Sequence, residues 1–443
     1  MNTSLSQSAD TPPGPGIAID TPAVSHQQRR RSLVSSTAGN ILEWYEWSAY
    51  SVMSPFIAAA MFDSSNPASG LLAVFAVFAV GFLMRPVGGI FFGWLGDRIG
   101  RKAILLITML LMAAACFAIG LTPGFATIGV AASVLLLLLR CLQGFAHGGE
   151  SSASTTYVAE IAPAGKRGQW GSVSGVSIIG GSVLAFLISA VLTTWLGEEA
   201  MATYGWRIPF LLGGAMAIVV LWMRRSMHES DVFDAHQNAD APQKLSRKKI
   251  TLITLRMIAF TSGLTCVNYV WMTYMTTFAI KERGMQADAA FWATMVGQLV
   301  CLASMPLMGK LSDRIGRKPM MFGFAVLAFV TTIPLTLMVG AAPWTLALPV
   351  AASLVMWAMC QSIYPAIQAE NFPTYVRSRG IGFAYSISVA LFGGTAPYLN
   401  QLFVSLGAGW MFSVYVMTLC VVSFVATLFF PETKGADLNK LKL

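Results

Sequence analysis

Gly93-Trp94-Leu95-Gly96-Asp97-Arg98-Ile99-Gly100-Arg101-Lys102 has a second copy in this chain, Gly309-Lys310-Leu311-Ser312-Asp313-Arg314-Ile315-Gly316-Arg317-Lys318. Both read G-x-x-x-D-R-I-G-R-K, and they begin 216 positions apart in a chain of 443 residues. Each copy stands between two long apolar runs, so each is expected to form a tight charged loop joining two membrane helices. A repeat spaced at half the chain length implies two similar halves, a common construction among secondary transporters.

The composition around the repeats agrees. Hydrophobic residues make up 55% of the chain and charged residues 11%, against roughly a quarter charged in a soluble domain. Mean hydropathy is +0.64. Apolar segments of about 20 residues, enough to cross the hydrocarbon layer, recur along the chain. They predict twelve helices, over 33–61, 71–94, 103–121, 127–158, 170–196, 206–224, 251–279, 288–310, 319–340, 343–369, 379–404 and 408–430. Lipid offers no partners to backbone polar groups, and no ten-residue alternation suggests a barrel, so the expected class is an all-α integral membrane protein. Two six-helix bundles follow, over 33–225 and 250–431. They are flanked by a disordered tail (1–32), a linker (226–249) and a short second tail (432–443).

The net charge of +9 does not imply nucleic acid, because its distribution is topological. Arg207, Lys281 and Arg283 fall on one side of the membrane, and Arg85 and Arg140 lie within spans. The other basic residues map to the opposite side, which places both termini and the middle linker in the cytoplasm. Residues 1–32 lack the short apolar core of a signal peptide. The six cysteines are scattered through apolar spans without metal-ligand spacing, so packing is their expected role. No cofactor or metal is implied.

A charge inside a span is costly and marks a substrate or ion pathway by default. Glu43 and Glu46, with Tyr50, fall at i, i+3 and i+7 of the first span and share a face. Arg85 lies deep in the second span, next to Pro86. In the fourth span Arg140-Cys141-Leu142-Gln143-Gly144-Phe145-Ala146-His147-Gly148-Gly149-Glu150 puts Gln143, His147 and Glu150 on one face, with Arg140 one turn below. A carboxylate that loses a cationic partner in low dielectric takes up a proton, which is the chemistry a proton-coupled carrier needs. Glu46, Arg140, Glu43 and Glu150 are therefore the proton-coupling set and Arg85 the carboxylate binder, with Arg207 either a second carboxylate binder or a structural residue closing the outer side. A static ion-pair network is the alternative. The second half carries no comparable charge within its predicted spans. It offers Tyr269, Tyr274, Gln361 and Tyr385, which together with Tyr50, Gln143 and His147 suit hydrogen bonding to a ligand. In the repeats, Gly93, Asp97, Arg98, Gly100 and Arg101, and Gly309, Asp313, Arg314, Gly316 and Arg317, are expected to gate the cytoplasmic ends. Simple topological anchoring is the alternative for these loops.

The doubled loop resembles the signature of the major facilitator superfamily. A narrower resemblance covers Gly39 to Pro431. It rests on Gly39-Asn40-Ile41-Leu42-Glu43-Trp44-Tyr45-Glu46, Phe82-Leu83-Met84-Arg85-Pro86-Val87-Gly88-Gly89, the Arg140–Glu150 run and Gly205-Trp206-Arg207-Ile208-Pro209-Phe210. Glu370-Asn371-Phe372-Pro373-Thr374-Tyr375-Val376-Arg377 and Leu391-Phe392-Gly393-Gly394-Thr395-Ala396-Pro397 complete it. These are similar to the metabolite–proton symporter family, and Leu221-Trp222-Met223-Arg224-Arg225-Ser226, Thr273-Tyr274-Met275 and Ala369-Glu370 resemble most its α-ketoglutarate permease branch. The resemblance implies a monomeric symporter in the inner membrane of a bacterium, taking up a small organic acid with protons. Glu46 stands where that family usually has Asp, His147 where it has a small residue, and Ser386 where Asn often follows Tyr385.

Uptake of a zwitterionic osmolyte, as in the proline/betaine branch, is the second reading. Another carboxylate, such as shikimate or citrate, would fit the same chemistry. The fifth span lacks the G-P-x-x-G-G pattern of drug antiporters. No nucleophile–base set or signalling domain supports an enzyme or a sensor.

Overall fold

The computed structural model describes residues 26–63, 67–99, 101–148, 162, 165–225, 246–373 and 376–436. The described residues are mostly helical, with no strand among them. Helix α1 runs His26–Val52 and continues after a break at Met53 as Ser54–Met61. It is followed by α2 (Pro67–Ile99), α3 (Arg101–Leu121), α4 (Val130–Gly148), α5 (Arg167–Thr203) and α6 (Ile208–Arg225). The second half comprises α7 (Arg247–Tyr269, then Met275–Arg283), α8 (Ala287–Ile315), α9 (Arg317–Met338), α10 (Trp344–Gln361, then Tyr364–Asn371), α11 (Arg377–Ser388, then Ala396–Ser405) and α12 (Trp410–Leu428). Ten of the twelve are long and apolar enough to cross a membrane, and α1 and α11 are the other two. The first begins at His26, earlier than the hydropathy run implies, because Gln, Arg and Ser extend a helix without being apolar. The tail over 1–25 and the linker over 226–245 lie outside the described residues. Arg247, Lys248 and Lys249, expected in the linker, form the first turn of α7 instead, capped by Ser246.

Small residues decide how closely these helices approach. A Cβ at Gly144 of α4 would overlap the carbonyl of Gly81 of α2, and one at Gly148 would overlap that of Arg85. The backbones of α2 and α4 therefore touch, as small residues allow in membrane bundles. That contact brings Arg85, Arg140 and His147 together. The halves meet where α5 packs along α8 and where α2 packs on α11.

Two helices of the second half carry a π-helical turn, Val270–Tyr274 in α7 and Val389–Gly393 in α11. Such turns insert a residue and rotate the side chains around them, commonly next to functional sites. Here they follow Asn268 and Tyr269 on one helix and Tyr385 on the other.

Candidate functional site

Two small cavities are lined by the residues in question. One lies between the halves and is lined by Trp44, Asn268, Tyr269, Gln361, Tyr364 and Tyr385 among others. It is aromatic and carries hydrogen-bonding groups without a formal charge. The other lies within the first half, among Gly39, Glu43, Glu46, Met109, Met112 and His147. It is lined by both carboxylates of α1.

Arg85 reaches the lining of both cavities. It is 2% exposed, and its guanidinium carbon sits 3.8 Å from the centre of the Phe82 ring and 4.3 Å from that of Trp47. The nearby polar groups are the phenols of Tyr269 and Tyr385 and the Glu43 carboxylate. No nitrogen of Arg85 has a well-aligned hydrogen-bond partner among the described residues. A buried guanidinium with five donors and an aromatic cage has its electrostatic demand only partly met.

Arg140 is fully buried. It donates from Nη1 to Gln143 Oε1 at 2.7 Å and lies 4.1 Å from the Trp47 ring and 4.2 Å from that of Tyr50. Gln143 passes the contact on, donating to Cys116 Sγ at 3.1 Å. Glu46 is within electrostatic reach of Arg140 and Cys116. Glu43 pairs with His147 through Oε1 and Nε2. On the other side of the imidazole, Trp47 Nε1 donates to Nδ1 at 3.0 Å. Glu43, Glu46, Tyr50, Arg85, Arg140, Gln143 and His147 thus form one buried cluster, to which the second half adds Tyr269 and Tyr385. Gln361 lines the cavity between the halves.

Other expected site residues lie elsewhere. Arg207 is away from the cluster, donating to the carbonyls of Thr122 at 2.9 Å and Thr203 at 3.2 Å, so it ties the ends of α3 and α5 to the start of α6. Tyr274 donates to Gln401 Oε1 at 3.2 Å and packs on Phe75. Tyr50 donates to the carbonyl of Val74 at 3.0 Å, so its ring rather than its hydroxyl faces the cluster. Glu150 lies outside the described residues.

The second repeat builds a latch across the halves. Asp313 on α8 accepts from the backbone N–H groups of Gly168 and Gln169, both at 2.9 Å, and so caps the first turn of α5. Arg317 holds Asp313 at 2.8 Å and Glu370 at 3.3 Å, and Arg167 stands 3.7 Å from Glu370. Gly168 and Gly309 lie backbone to backbone, with no room for a Cβ at Gly309. Gly316 has φ +107, a conformation that disfavours any side chain, and a Cβ there would come within 2.6 Å of Glu432. Arg314 is exposed. In the first repeat, Gly93 is exposed and Arg98 stacks on its own neighbour Trp94 at 3.9 Å. Gly100 and the side chains of Asp97 and Arg101 lie outside the described residues.

Glu370 is a correction to the sequence reading. The predicted span ended at 369, but α10 runs to Asn371, and Glu370 is wholly buried. The second half does carry an embedded carboxylate, and it sits in the latch. Trp47 was missed as well, although it stands at i+4 from Glu43 on the face already singled out.

Two six-helix halves meeting around a buried cluster of charge, latched at one end by the second copy of the repeat, define a multi-pass membrane transporter and not an enzyme. The chain belongs to the Major Facilitator Superfamily, whose family model matches residues 37–397. It is 36% identical to the alpha-ketoglutarate permease of Escherichia coli (strain K12), over 93% of this chain and 96% of that protein. It is 32% identical to a citrate-proton symporter of Salmonella typhi, over 95% and 98% of the two chains. A proline/betaine transporter of Salmonella typhimurium (strain LT2) is 31% identical over 95% of this chain and 87% of that one. In fold the chain is similar to the proton:xylose symporter XylE bound to 6-bromo-6-deoxy-D-glucose. The TM-score is 0.78 at 17% identity, covering 94% of this chain and 98% of that one.

Proposed function

We propose that this transporter takes up a small organic acid together with protons, a dicarboxylate such as α-ketoglutarate being the first choice, by alternating access in the inner membrane of a bacterium. The reading rests above all on Arg85. Burying a cation in the membrane interior costs several kcal/mol, from ~2.5 upward, and is retained where an anion comes to offset it. A guanidinium grips a carboxylate with two parallel hydrogen bonds that an ammonium cannot copy. The neutral cavity beside Arg85 would hold the rest of the substrate, with Gln361 and Asn268 as hydrogen-bonding groups. The carboxylates lining the other cavity, Glu46 and Glu43, would carry the coupling proton. The Asp313–Arg317–Glu370 latch would open and close the cytoplasmic end.

A second reading has its own support. Trp44, Tyr269, Trp357, Tyr364 and Tyr385 line the cavity between the halves, and aromatic faces attract a quaternary ammonium. A betaine would place its carboxylate on Arg85 and its cation among these rings.

Thermal-shift measurements on the purified protein separate the two, since a ligand that binds only the folded form raises its stability. α-Ketoglutarate and citrate should stabilise under the first reading, and glycine betaine and proline under the second. Arg85→Lys should lose most of the effect of either. An Arg85→Lys protein that binds and transports normally would remove Arg85 from the site.

A further inference from the structure

Trp47 touches both arginines and the histidine of the cluster. Its ring lies 4.3 Å from the guanidinium carbon of Arg85 and 4.1 Å from that of Arg140. It packs on Phe82 at 4.1 Å and on Phe78 at 5.5 Å, and it is 2% exposed. Its single donor is given to His147 Nδ1.

That hydrogen bond dictates the state of the imidazole. Nδ1 must offer a lone pair to receive it, so the hydrogen of the neutral ring is on Nε2, directed at Glu43. While the indole N–H points at Nδ1, the ring has no place for a second proton. In that arrangement the pair's remaining proton-accepting group is the Glu43 carboxylate. The surrounding charges act in the same direction. Around His147 and Glu43 stand Glu46 from α1, Arg85 from α2, Arg140 from α4, Tyr269 from α7 and Tyr385 from α11. The two guanidiniums oppose any added positive charge on His147 until an anion offsets one of them.

We propose that Trp47 is the positioning residue that couples seating of a carboxylate on Arg85 to protonation of the His147–Glu43 pair. The proposal rests on the carboxylate reading of Arg85. A carboxylate that pairs with Arg85 draws the guanidinium from the indole face it now covers. The indole then turns and withdraws its N–H from Nδ1. A hydronium ion transfers its proton to Nδ1 and leaves as water, and the hydrogen on Nε2 stays directed at Glu43. The pair passes from one net negative charge to none, having gained one proton as the substrate anion arrived. His147 thereby gains a use that a small residue at its position could not have.

The test reads the imidazole itself. The full chain is labelled with ¹⁵N-histidine, purified, and its ring nitrogen signals are followed between about pH 6 and 8. The chain has four histidines, and the signals that vanish in His147→Asn belong to His147. In the native protein without ligand, His147 should show the Nε2–H tautomer. Saturating α-ketoglutarate, or glycine betaine if that is the compound that stabilises the protein, should convert it toward the doubly protonated ring at the same pH. Trp47→Phe keeps an aromatic face for the arginines but removes the donor. It should raise the midpoint of His147 by about one pH unit or more without any ligand. If Trp47→Phe does not fold, Trp47→Met gives the same comparison.

A Nδ1–H tautomer in the native protein, or an unchanged midpoint in the variant, would overturn the proposal. So would a ligand that binds without moving the His147 signals. If neither compound stabilises the native protein, the carboxylate reading fails separately, and the ligand-free comparison still decides whether Trp47 governs His147. A purely structural Trp47 would alter stability and leave the tautomer as it was.

Discussion

Glu46 shows how one side chain tests the proposed coupling. It lines the α1–α3–α4 cavity and lies in the field of Arg140 and Cys116. Glu46→Gln keeps the shape and imitates the protonated acid. Proteoliposomes carrying it should lose proton-driven accumulation, by about tenfold or more if the carboxylate is a general proton carrier, while exchange of substrate across the membrane continues. Concentrative, pH-dependent uptake by this variant would move the proton site elsewhere, with Glu43 next in line. The sequence indicated most of this cluster, because an acid or base inside an apolar run stands out against its neighbours. Trp47 was not legible for the opposite reason. An aromatic residue in a membrane helix is ordinary, and only the hydrogen bond to His147 sets it apart from packing.

The helix ends at the repeats offer their own measurements. Glu432, just beyond α12, accepts from the backbone N–H groups of Arg317, Lys318 and Lys434, at 2.9, 3.0 and 2.9 Å. It is thus a cap on the first turn of α9. Partial burial raises its pKa, but these N–H groups outweigh that and hold the carboxyl below its ordinary value. A lowered folded-state pKa means stabilisation that is present above the unfolded value and lost as pH falls through the folded one. Glu432→Gln should therefore cost about 1 kcal/mol near neutral pH, as cap removals do. The gap between variant and native melting temperatures should close as the medium is acidified below about pH 4. A pH-independent gap would show that the carboxylate charge is not what stabilises this end. Gly309→Val should act at the interface between α5 and α8, because the added side chain has no space against Gly168. A cysteine placed at Ser172, which is buried in this structure, should then react several-fold faster with a soluble maleimide than it does with Gly309 intact. Equal rates would mean that the latch does not hold the halves together. Element boundaries account for what the sequence hid here. Hydropathy stops at residue 369 because Glu370 and Asn371 are polar, yet the helix continues two residues and buries the very group that joins Arg317 to Arg167.

At the scale of the whole molecule, the two halves divide the chemistry unequally. The first supplies Glu43, Glu46, Arg85 and Arg140, and the second supplies aromatic rings and amides at the centre with its embedded carboxylate at the latch. This division, and the twelve-helix plan, could be read from the doubled loop and the distribution of charge, since both follow from the cost of burying ions in lipid. Side-chain partners could not, because they depend on which glycines let the backbones touch. The expected orientation remains directly measurable. With the native cysteines replaced, a single cysteine at position 240 should be modified by an impermeant maleimide only after the cells are opened. Labelling on intact cells would invert the topology. The latch also carries a consequence for how the protein is made. Thr433 donates to Glu370 at 2.6 Å and Lys434 reaches the carbonyl of Arg314 at 2.6 Å, so residues past the twelfth helix help to close a contact between α5, α8, α9 and α10. Those residues are synthesised after all twelve helices, so the latch cannot be complete until the chain beyond α12 has left the ribosome. Until then the halves must insert and pair without the contacts that Thr433 and Lys434 add to the latch.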